Sequence, residues 1–154
     1  MQKITTFLTF NDRAEEAMNF YVSVFKNARV VSEMRNGEMF FGGIFEIDGQ
    51  RFHVLNGGSS FSFASGMSLF VNAETQEEID ELYGKLSDGG EKQPCGWLKD
   101  RFGISWQIIP PVLGKLLSDP DHEKANRAMQ AMMKMQKIVI ADLEAAFDGE
   151  EVAI

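Results

Sequence analysis

The sequence predicts an α+β protein made of two consecutive βαβββ modules followed by C-terminal helices. Three observations favour this fold. Strand and helix patterns follow the order β-α-β-β-β, a short polar segment interrupts them, and the same order then begins again. We therefore predict a single domain over residues 1–154, with a first module over about 1–58, a linker over 59–66, a second module over about 67–110 and a helical tail over 111–154.

The first module opens with an alternating strand. Side chains alternate in character from Lys3 to Phe10, as they do in a half-buried strand. Asn11-Asp12 and Glu15 then predict a capping box at the start of an amphipathic helix. Three strands follow, separated by Asn36-Gly37 and Asp48-Gly49, which are dipeptides typical of tight hairpins. The order β-α-β-β-β follows from these patterns.

The second module repeats this order less clearly. A strand over Met67–Ala73 precedes a helix over Thr75–Ser87, whose first residues also have the pattern of a capping box. Further strands are predicted over Glu91–Leu98 and Ile104–Ile109, which leaves one strand of the module without a place.

Internal similarity links the two modules at their helices and at their last strands. The phrase EEAMNFY of the first helix aligns with EEIDELY of the second, and GQRFHVL aligns with GISWQII. The second alignment pairs His53 with Gln107. A repeat of this kind predicts that the two residues occupy equivalent positions.

Composition excludes several classes of function. The net charge of -8 argues against nonspecific binding to nucleic acid or to an anionic membrane, both of which need clustered lysine and arginine. A single cysteine, Cys95, cannot form an internal disulfide, as expected in a reducing compartment. Neither a signal peptide nor an apolar run of membrane-spanning length is evident. We expect a cytoplasmic protein.

The tail after Pro110-Pro111 is predicted to be helical. A short helix over Val112–Leu117, a longer one from Asp119-Pro120 through Met135, and a third over Asp142–Phe147 are indicated by helical spacing. Several methionines concentrate soft apolar surface on the second helix. We expect the tail to pack on the domain or on a second subunit of a homodimer. A groove for a peptide or cofactor is the alternative.

Four phrases carry a resemblance to a known family: FNDRAEEAMNFYVSVFKNA, FEIDGQRFHVLNGG, CGWLKDRFGISWQIIP and DPDHEKANRAMQAMMKMQKIVIADLEAAF. They resemble the PhnB-like branch of the vicinal oxygen chelate superfamily, the group of glyoxalase I, bleomycin- and fosfomycin-resistance proteins and extradiol dioxygenases. The sequence family of that branch often carries the name 3-demethylubiquinone-9 3-methyltransferase. The resemblance implies two four-stranded sheets that form an incomplete barrel around a ligand cavity, and often a homodimer.

The resemblance also implies where a metal would bind, and the residues there are unsuitable. The implied ligand positions hold Thr5, Ser68 and Gln107, with His53 at the position that the repeat pairs with Gln107. Zinc, iron or manganese needs about three to four nitrogen, sulfur or carboxylate ligands. We therefore predict no metal and no cofactor.

The candidate ligand-binding residues are His53, Gln107, Ser68, Thr5 and Trp97, and no catalytic residue is predicted. Cys95 is expected to be a structural thiol, with a nucleophile as the alternative. The prediction is a metal-independent protein that binds a small molecule in the barrel cavity. The alternatives are a metal-dependent lyase, isomerase or dioxygenase, or an interaction module acting through its tail. Methyl transfer is disfavoured because no G-x-G phrase opens a helix.

Overall fold

A computed structural model describes residues 2–150 and confirms the α+β fold class, with two four-stranded sheets and five α-helices in this range. Met1 and residues 151–154, which the predicted first module and tail include, lie outside the described residues. The chain divides into two compact units, Met1–Phe63 (unit 1) and Ala64–Ile154 (unit 2).

Unit 1 has the predicted order β-α-β-β-β. Its elements are β1 (Thr6–Phe10), α1 (Ala14–Val24), β2 (Ala28–Asn36), β3 (Met39–Ile47) and β4 (Gln50–Asn56). The strands lie in the order β1-β4-β3-β2, with β1 parallel to β4 and the other pairs antiparallel. Both Asp48 and Gly49 have positive φ, as the tight turn predicted between β3 and β4 requires.

Helix α1 covers one face of this sheet. The Tyr21 ring lies 5.9 Å from that of Phe45, which in turn stacks on Phe52 at 5.0 Å between centroids. The helix approaches β3 so closely that a Cβ at Gly43 would lie 3.1 Å from Met18 Sδ. This face of the sheet is therefore the core of unit 1.

The predicted cap of α1 is wrong, whereas that of α2 is confirmed. Helix α1 has Arg13 at its N-cap, where the side chain makes no capping hydrogen bond, and the first helical N–H, of Ala14, donates instead to Asn56 Oδ1 at 2.8 Å. A side chain from the end of β4 thus caps the helix in place of Asp12. In α2, the N–H of Glu78 donates to Thr75 Oγ1 at 3.1 Å, and the Glu78 carboxylate accepts from the N–H of Glu74 rather than from that of Thr75.

Unit 2 repeats the module with shorter strands. Its elements are β5 (Ser68–Asn72), α2 (Gln76–Ser87), β6 (Glu91–Lys92), β7 (Trp97–Lys99), β8 (Ser105–Ile109), α3 (Pro111–Leu117), α4 (His122–Met133) and α5 (Ile140–Phe147). The strand order is β5-β8-β7-β6, and β5 is parallel to β8. This order matches that of unit 1.

The single strand predicted over Glu91–Leu98 is wrong, and its correction supplies the strand that was missing. A 3-10 turn, Pro94–Gly96, separates β6 from β7. Cys95 and Gly96 both have positive φ, so the chain reverses there and the two short strands pair with each other.

The predicted helical tail is present as α3, α4 and α5. It forms a core with the end of β8 that consists of Ile109, Leu113, Ala131, Met135, Ile138, Leu143 and Ala146. Main-chain hydrogen bonds also join the turn before β7 to the segment after α4: Cys95 N donates to Met135 O and Gly96 N to Gln136 O, at 2.9 and 2.7 Å. Across residues 2–150, no helix has the length and apolarity needed to traverse a bilayer.

Candidate functional site

The face of the first sheet opposite α1 carries nine side chains or glycines in three rows across β1, β4 and β3. We call it the open face of unit 1. Its first row continues the register one residue before β1. The rows are Thr5, Arg51 and Glu46; Phe7, His53 and Ile44; and Thr9, Leu55 and Gly42. The rows change from charged to apolar along β4.

His53 lies at the centre of this face and is half-buried. Its ring stacks on that of Phe7, with 5.5 Å between centroids and 23° between planes. Ile44 flanks it from the other side through the β3–β4 pairing. The imidazole therefore has apolar neighbours on both adjacent strands.

A pocket of about 800 Å³ lies at the charged end of the open face of unit 1. Its walls are formed by Gln2, Thr5, Ile44, Gly49, Gln50, Arg51 and His53. Two predicted site residues, Thr5 and His53, are thus brought together in one pocket.

Arg51 and Gln2 belong to this pocket and were missed by sequence reasoning. The Gln2 amide pairs with the main chain of Arg51 in both directions: Arg51 N donates to Gln2 Oε1 at 3.0 Å, and Gln2 Nε2 donates to Arg51 O at 3.3 Å. The Arg51 side chain donates to Glu46 at 3.2 Å, and Glu46 also pairs with Arg29 at 3.4 Å. The only available signal was that Arg51 and His53, two residues apart, share a strand face.

The other three predicted residues share one face of the second sheet. The pairing of β5, β8 and β7 places Phe70, Gln107 and Trp97 in one row. Gln107 Nε2 donates to Ser68 Oγ at 2.9 Å, and this bond fixes the amide on the face opposite α2. We call this the open face of unit 2.

His53 and Gln107 occupy equivalent positions within their own units. His53 pairs with Phe7 across the parallel β1–β4 contact, and Gln107 pairs with Phe70 across the parallel β5–β8 contact. The two phenylalanines are exposed to almost the same degree, 55% and 53%. Each open face therefore carries a hydrogen-bonding side chain beside an exposed aromatic ring. The neighbouring Trp106 is buried on the opposite face, as strand alternation predicts.

Asp100 has a structural role in this region. Its buried carboxylate accepts hydrogen bonds from the N–H groups of Phe102 and Ile104, at 2.9 and 3.0 Å, and from Trp106 Nε1 at 2.9 Å. These bonds shape the turn that enters β8. Asp100 therefore positions the strand that carries Gln107.

The residues at the implied metal positions do not fit a metal centre. Thr5 and Ser68 offer neutral hydroxyls, and Gln107, which would coordinate through its amide oxygen, is likewise neutral. Across residues 2–150, no three His, Cys, Asp or Glu side chains are grouped so that they could hold an ion. Cys95 is a free, half-buried thiol whose backbone contacts the tail.

Two four-stranded sheets, each with one parallel pair and a helix on one face, define a fold of the glyoxalase/bleomycin-resistance class. A family model described as 3-demethylubiquinone-9 3-methyltransferase matches residues 2–109. The chain belongs to this PhnB-like family of the vicinal oxygen chelate superfamily, as the sequence phrases predicted. The fourth phrase, in the tail, lies beyond the matched residues.

Solved structures support the same assignment. A putative 3-demethylubiquinone-9 3-methyltransferase, the PhnB protein of Bacillus cereus, is 38% identical, with 71% of this chain and 99% of that chain covered and a TM-score of 0.64. A Pseudomonas aeruginosa protein is 18% identical over 71% and 98% of the two chains, with a TM-score of 0.63, which shows the fold alone.

A more distant neighbour holds a metal ion. The fosfomycin resistance protein FosX of Listeria monocytogenes, complexed with Mn(II) and sulfate, is 16% identical over 71% of this chain and 91% of that chain, with a TM-score of 0.51. This likeness also shows the fold alone. No curated protein matches the chain.

Proposed function

We propose that this protein binds small organic molecules on the open face of each unit's sheet and does so without a metal ion. One observation carries the proposal: in each unit, a hydrogen-bonding side chain lies beside an exposed phenylalanine at the same register position. Ligand sites are typically apolar surfaces with a few polar groups that fix orientation. His53 and Gln107 would be those polar groups.

Both side chains can bind a polar ligand through uncharged hydrogen bonds. The amide of Gln107 and a neutral imidazole at His53 can each donate and accept a hydrogen bond. Phe7 and Phe70 offer ring faces for stacking or apolar contact. Thr5 completes the proposed site of unit 1, and Ser68 and Trp97 complete that of unit 2, where Ser68 holds the Gln107 amide in place.

Metal independence is supported by the donor set. Thr5 and Ser68 offer neutral hydroxyls and Gln107 a neutral amide oxygen, and none of these is a ligand type that zinc or iron sites favour. Mn(II) in FosX is a property of that protein, and the resemblance to it extends to the fold only.

Methyl transfer receives no support from the site, despite the family's name. The turn that opens α1 reads Asn11-Asp12-Arg13, and the one that opens α2 reads Ala73-Glu74-Thr75. Neither has the glycine-rich phrase that a cofactor-binding methyltransferase usually places before a helix. Function is therefore argued from the open faces rather than from the name.

The proposal also includes a homodimer in a reducing cytoplasm. The single free thiol suits a reducing compartment. Exposed methionines on α4, Met129 and Met133, supply apolar surface for a second subunit.

A fragment screen by ligand-observed NMR, run with and without EDTA, tests the proposal. We expect bound fragments whose affinity does not change when EDTA is added. His53→Ala and Gln107→Ala should weaken binding about tenfold, as expected when a hydrogen bond to the ligand is lost. His122→Ala is the matched control because His122 is exposed at the start of α4, and it should leave binding unchanged.

Loss of binding in EDTA, or stoichiometric metal in protein purified without chelator, would overturn metal independence. Equal effects of His53→Ala and His122→Ala would remove His53 from the site. Circular dichroism of each variant separates a loss of binding from a loss of folding.

A further inference from the structure

The open face of unit 1 is graded in polarity along β4. Arg51, His53 and Leu55 alternate on one face of this strand, so their side chains run from a permanent cation, through an imidazole, to an aliphatic group. Strand β3 repeats the gradient, because Glu46 flanks Arg51 whereas Gly42 flanks Leu55, while β1 carries a threonine at both ends. Successive rows are about 7 Å apart, since a strand rises about 3.3 Å per residue.

The positive charge of Arg51, at the polar end of this face, is not fully neutralised by its ion-pair partner. Arg51 is the only permanently charged side chain among the residues that line the pocket. Its ion-pair partner, Glu46, is shared with Arg29, so two guanidinium groups meet one carboxylate. This local excess of positive charge lies on a protein whose net charge is -8.

The pocket wall around Arg51 is held in place. Both main-chain polar groups of Arg51 are bonded to the Gln2 amide, so the backbone at this position needs no partner from a ligand. The guanidinium, whose side chain is 47% exposed, has donors beyond the one given to Glu46. Guanidinium groups recognise carboxylates through paired hydrogen bonds.

We propose that this pocket binds an amphipathic organic anion, with its carboxylate at Arg51 and its apolar part over His53 and Ile44. The inference rests on the proposed function and adds to it a ligand class and a binding direction. The pocket volume of about 800 Å³ lies in the range of sites that bind small organic molecules. The His53–Phe7 stack offers an aromatic surface about one row from the charge, which suits a ring separated from its carboxylate by a short linker.

Two probes that differ only at the head group test the proposal in the full-length protein. The probes are 3-phenylpropanoate and the neutral 3-phenylpropan-1-ol, titrated into ¹⁵N-labelled protein near pH 7.5. We expect the acid to shift the amide resonances of residues 44–53 and to bind about tenfold more tightly than the alcohol, which is the effect of one charge-assisted contact.

Arg51→Gln should weaken binding of the acid about tenfold and change that of the alcohol less than about twofold. Arg13→Gln is the matched control. Arg13 lies in the same unit, its side chain is 46% exposed, it is also paired with a glutamate, and it lies at the start of α1, outside the pocket lining. That control should leave both affinities unchanged.

Equal affinities for acid and alcohol, equal effects of the two arginine variants, or shifts confined to unit 2 would each overturn the proposal. None of these results would affect metal-independent binding of fragments that depends on His53 or Gln107. Conversely, loss of fragment binding in EDTA would overturn the proposed function even if Arg51 selected the acid. The two failures are therefore distinguishable.

Discussion

The two units share one strand order but stabilise their antiparallel strands by different means. In unit 1, β2, β3 and β4 are nine, nine and seven residues long and pair along most of their length. In unit 2, β6 and β7 have only two and three residues. Unit 2 compensates with the tail, whose main chain and apolar core contact the turn before β7 and the end of β8.

The turns that precede the last strands differ in the same way. In unit 1, Asp48 and Gly49 make the turn through backbone conformation, with positive φ at both residues. In unit 2, positive φ at Gly103 is joined by the buried Asp100 carboxylate, which accepts hydrogen bonds from Phe102, Ile104 and Trp106. The same last strand can thus be positioned by local backbone preference or by a buried side chain supported by a tail.

The largest expected effect comes from removing a tail side chain from the core of unit 2. Ile138 is fully buried among β8, α3 and α5 residues. Ile138→Ala should lower the free energy of unfolding by about 3 kcal/mol, because both the transfer free energy and the packing around the cavity are lost. Urea denaturation followed by tryptophan fluorescence measures this, since both tryptophans belong to unit 2.

The matched control is Gln130→Ala on the same tail. Gln130 is exposed on α4, so its replacement should change stability by less than about 0.5 kcal/mol. Amide hydrogen exchange then locates the effect: β7 and β8 should lose protection in Ile138→Ala while β3 and β4 retain it. Equal loss of protection in both sheets would contradict the difference drawn between the two units.

The sequence predicted the parts of this comparison that are encoded locally. The dipeptide Asp48-Gly49 marked the β3–β4 turn, because few other residue pairs adopt positive φ at two consecutive positions. The alignment of GQRFHVL with GISWQII paired His53 with Gln107, and the strand pairings place each of them beside an exposed phenylalanine. Strand alternation also accounts for Trp106 and Gln107 lying on opposite faces of the sheet.

Long-range contacts were beyond the reach of sequence patterns. The cap of α1 comes from Asn56, and the wall at Arg51 comes from Gln2, each more than 40 residues away in the chain. The break between β6 and β7 depends on positive φ at Cys95, a conformation that residues other than glycine, asparagine and aspartate seldom adopt unless their surroundings impose it. Here those surroundings include the tail, through the bond from Cys95 N to Met135 O.

An intermediate effect is expected from the carboxylate in the turn of unit 2. Asp100→Asn removes the charge and turns an amide N–H₂ toward a donor, either the Trp106 indole or the backbone N–H groups. We expect the free energy of unfolding to fall by about 2 kcal/mol, which is the cost of leaving a buried polar group without a partner. Denaturation and the Trp106 emission maximum are the measurements.

Asp48→Asn is the control and should lower the free energy of unfolding by less than about 0.5 kcal/mol, since asparagine accepts the same turn. Comparable losses in the two variants would mean that both turns depend on a carboxylate.

The smallest expected effect concerns Tyr83 on α2, which joins the helix to the short strands of unit 2. Its hydroxyl lies 2.9 Å from the carbonyl oxygens of both Gln93 and Trp97. Burial raises the pKa of Tyr83 above its usual value near 10.0, and the bond to Gln93 only partly offsets this. The folded state therefore holds this proton more tightly than the unfolded state does.

Tyr83→Phe should accordingly cost about 1 kcal/mol near neutral pH, where the hydroxyl donates its hydrogen bond. The contribution of a group with a raised pKa is fully present below its unfolded value, and it disappears as the pH rises through the folded value. The wild type should thus lose stability above pH 10 more steeply than Tyr83→Phe, so that the two proteins converge. Urea denaturation at several pH values from 7 to 11 measures the difference between them. A difference that stays constant across this range would show that the Tyr83 hydroxyl contributes no pH-dependent stability to unit 2.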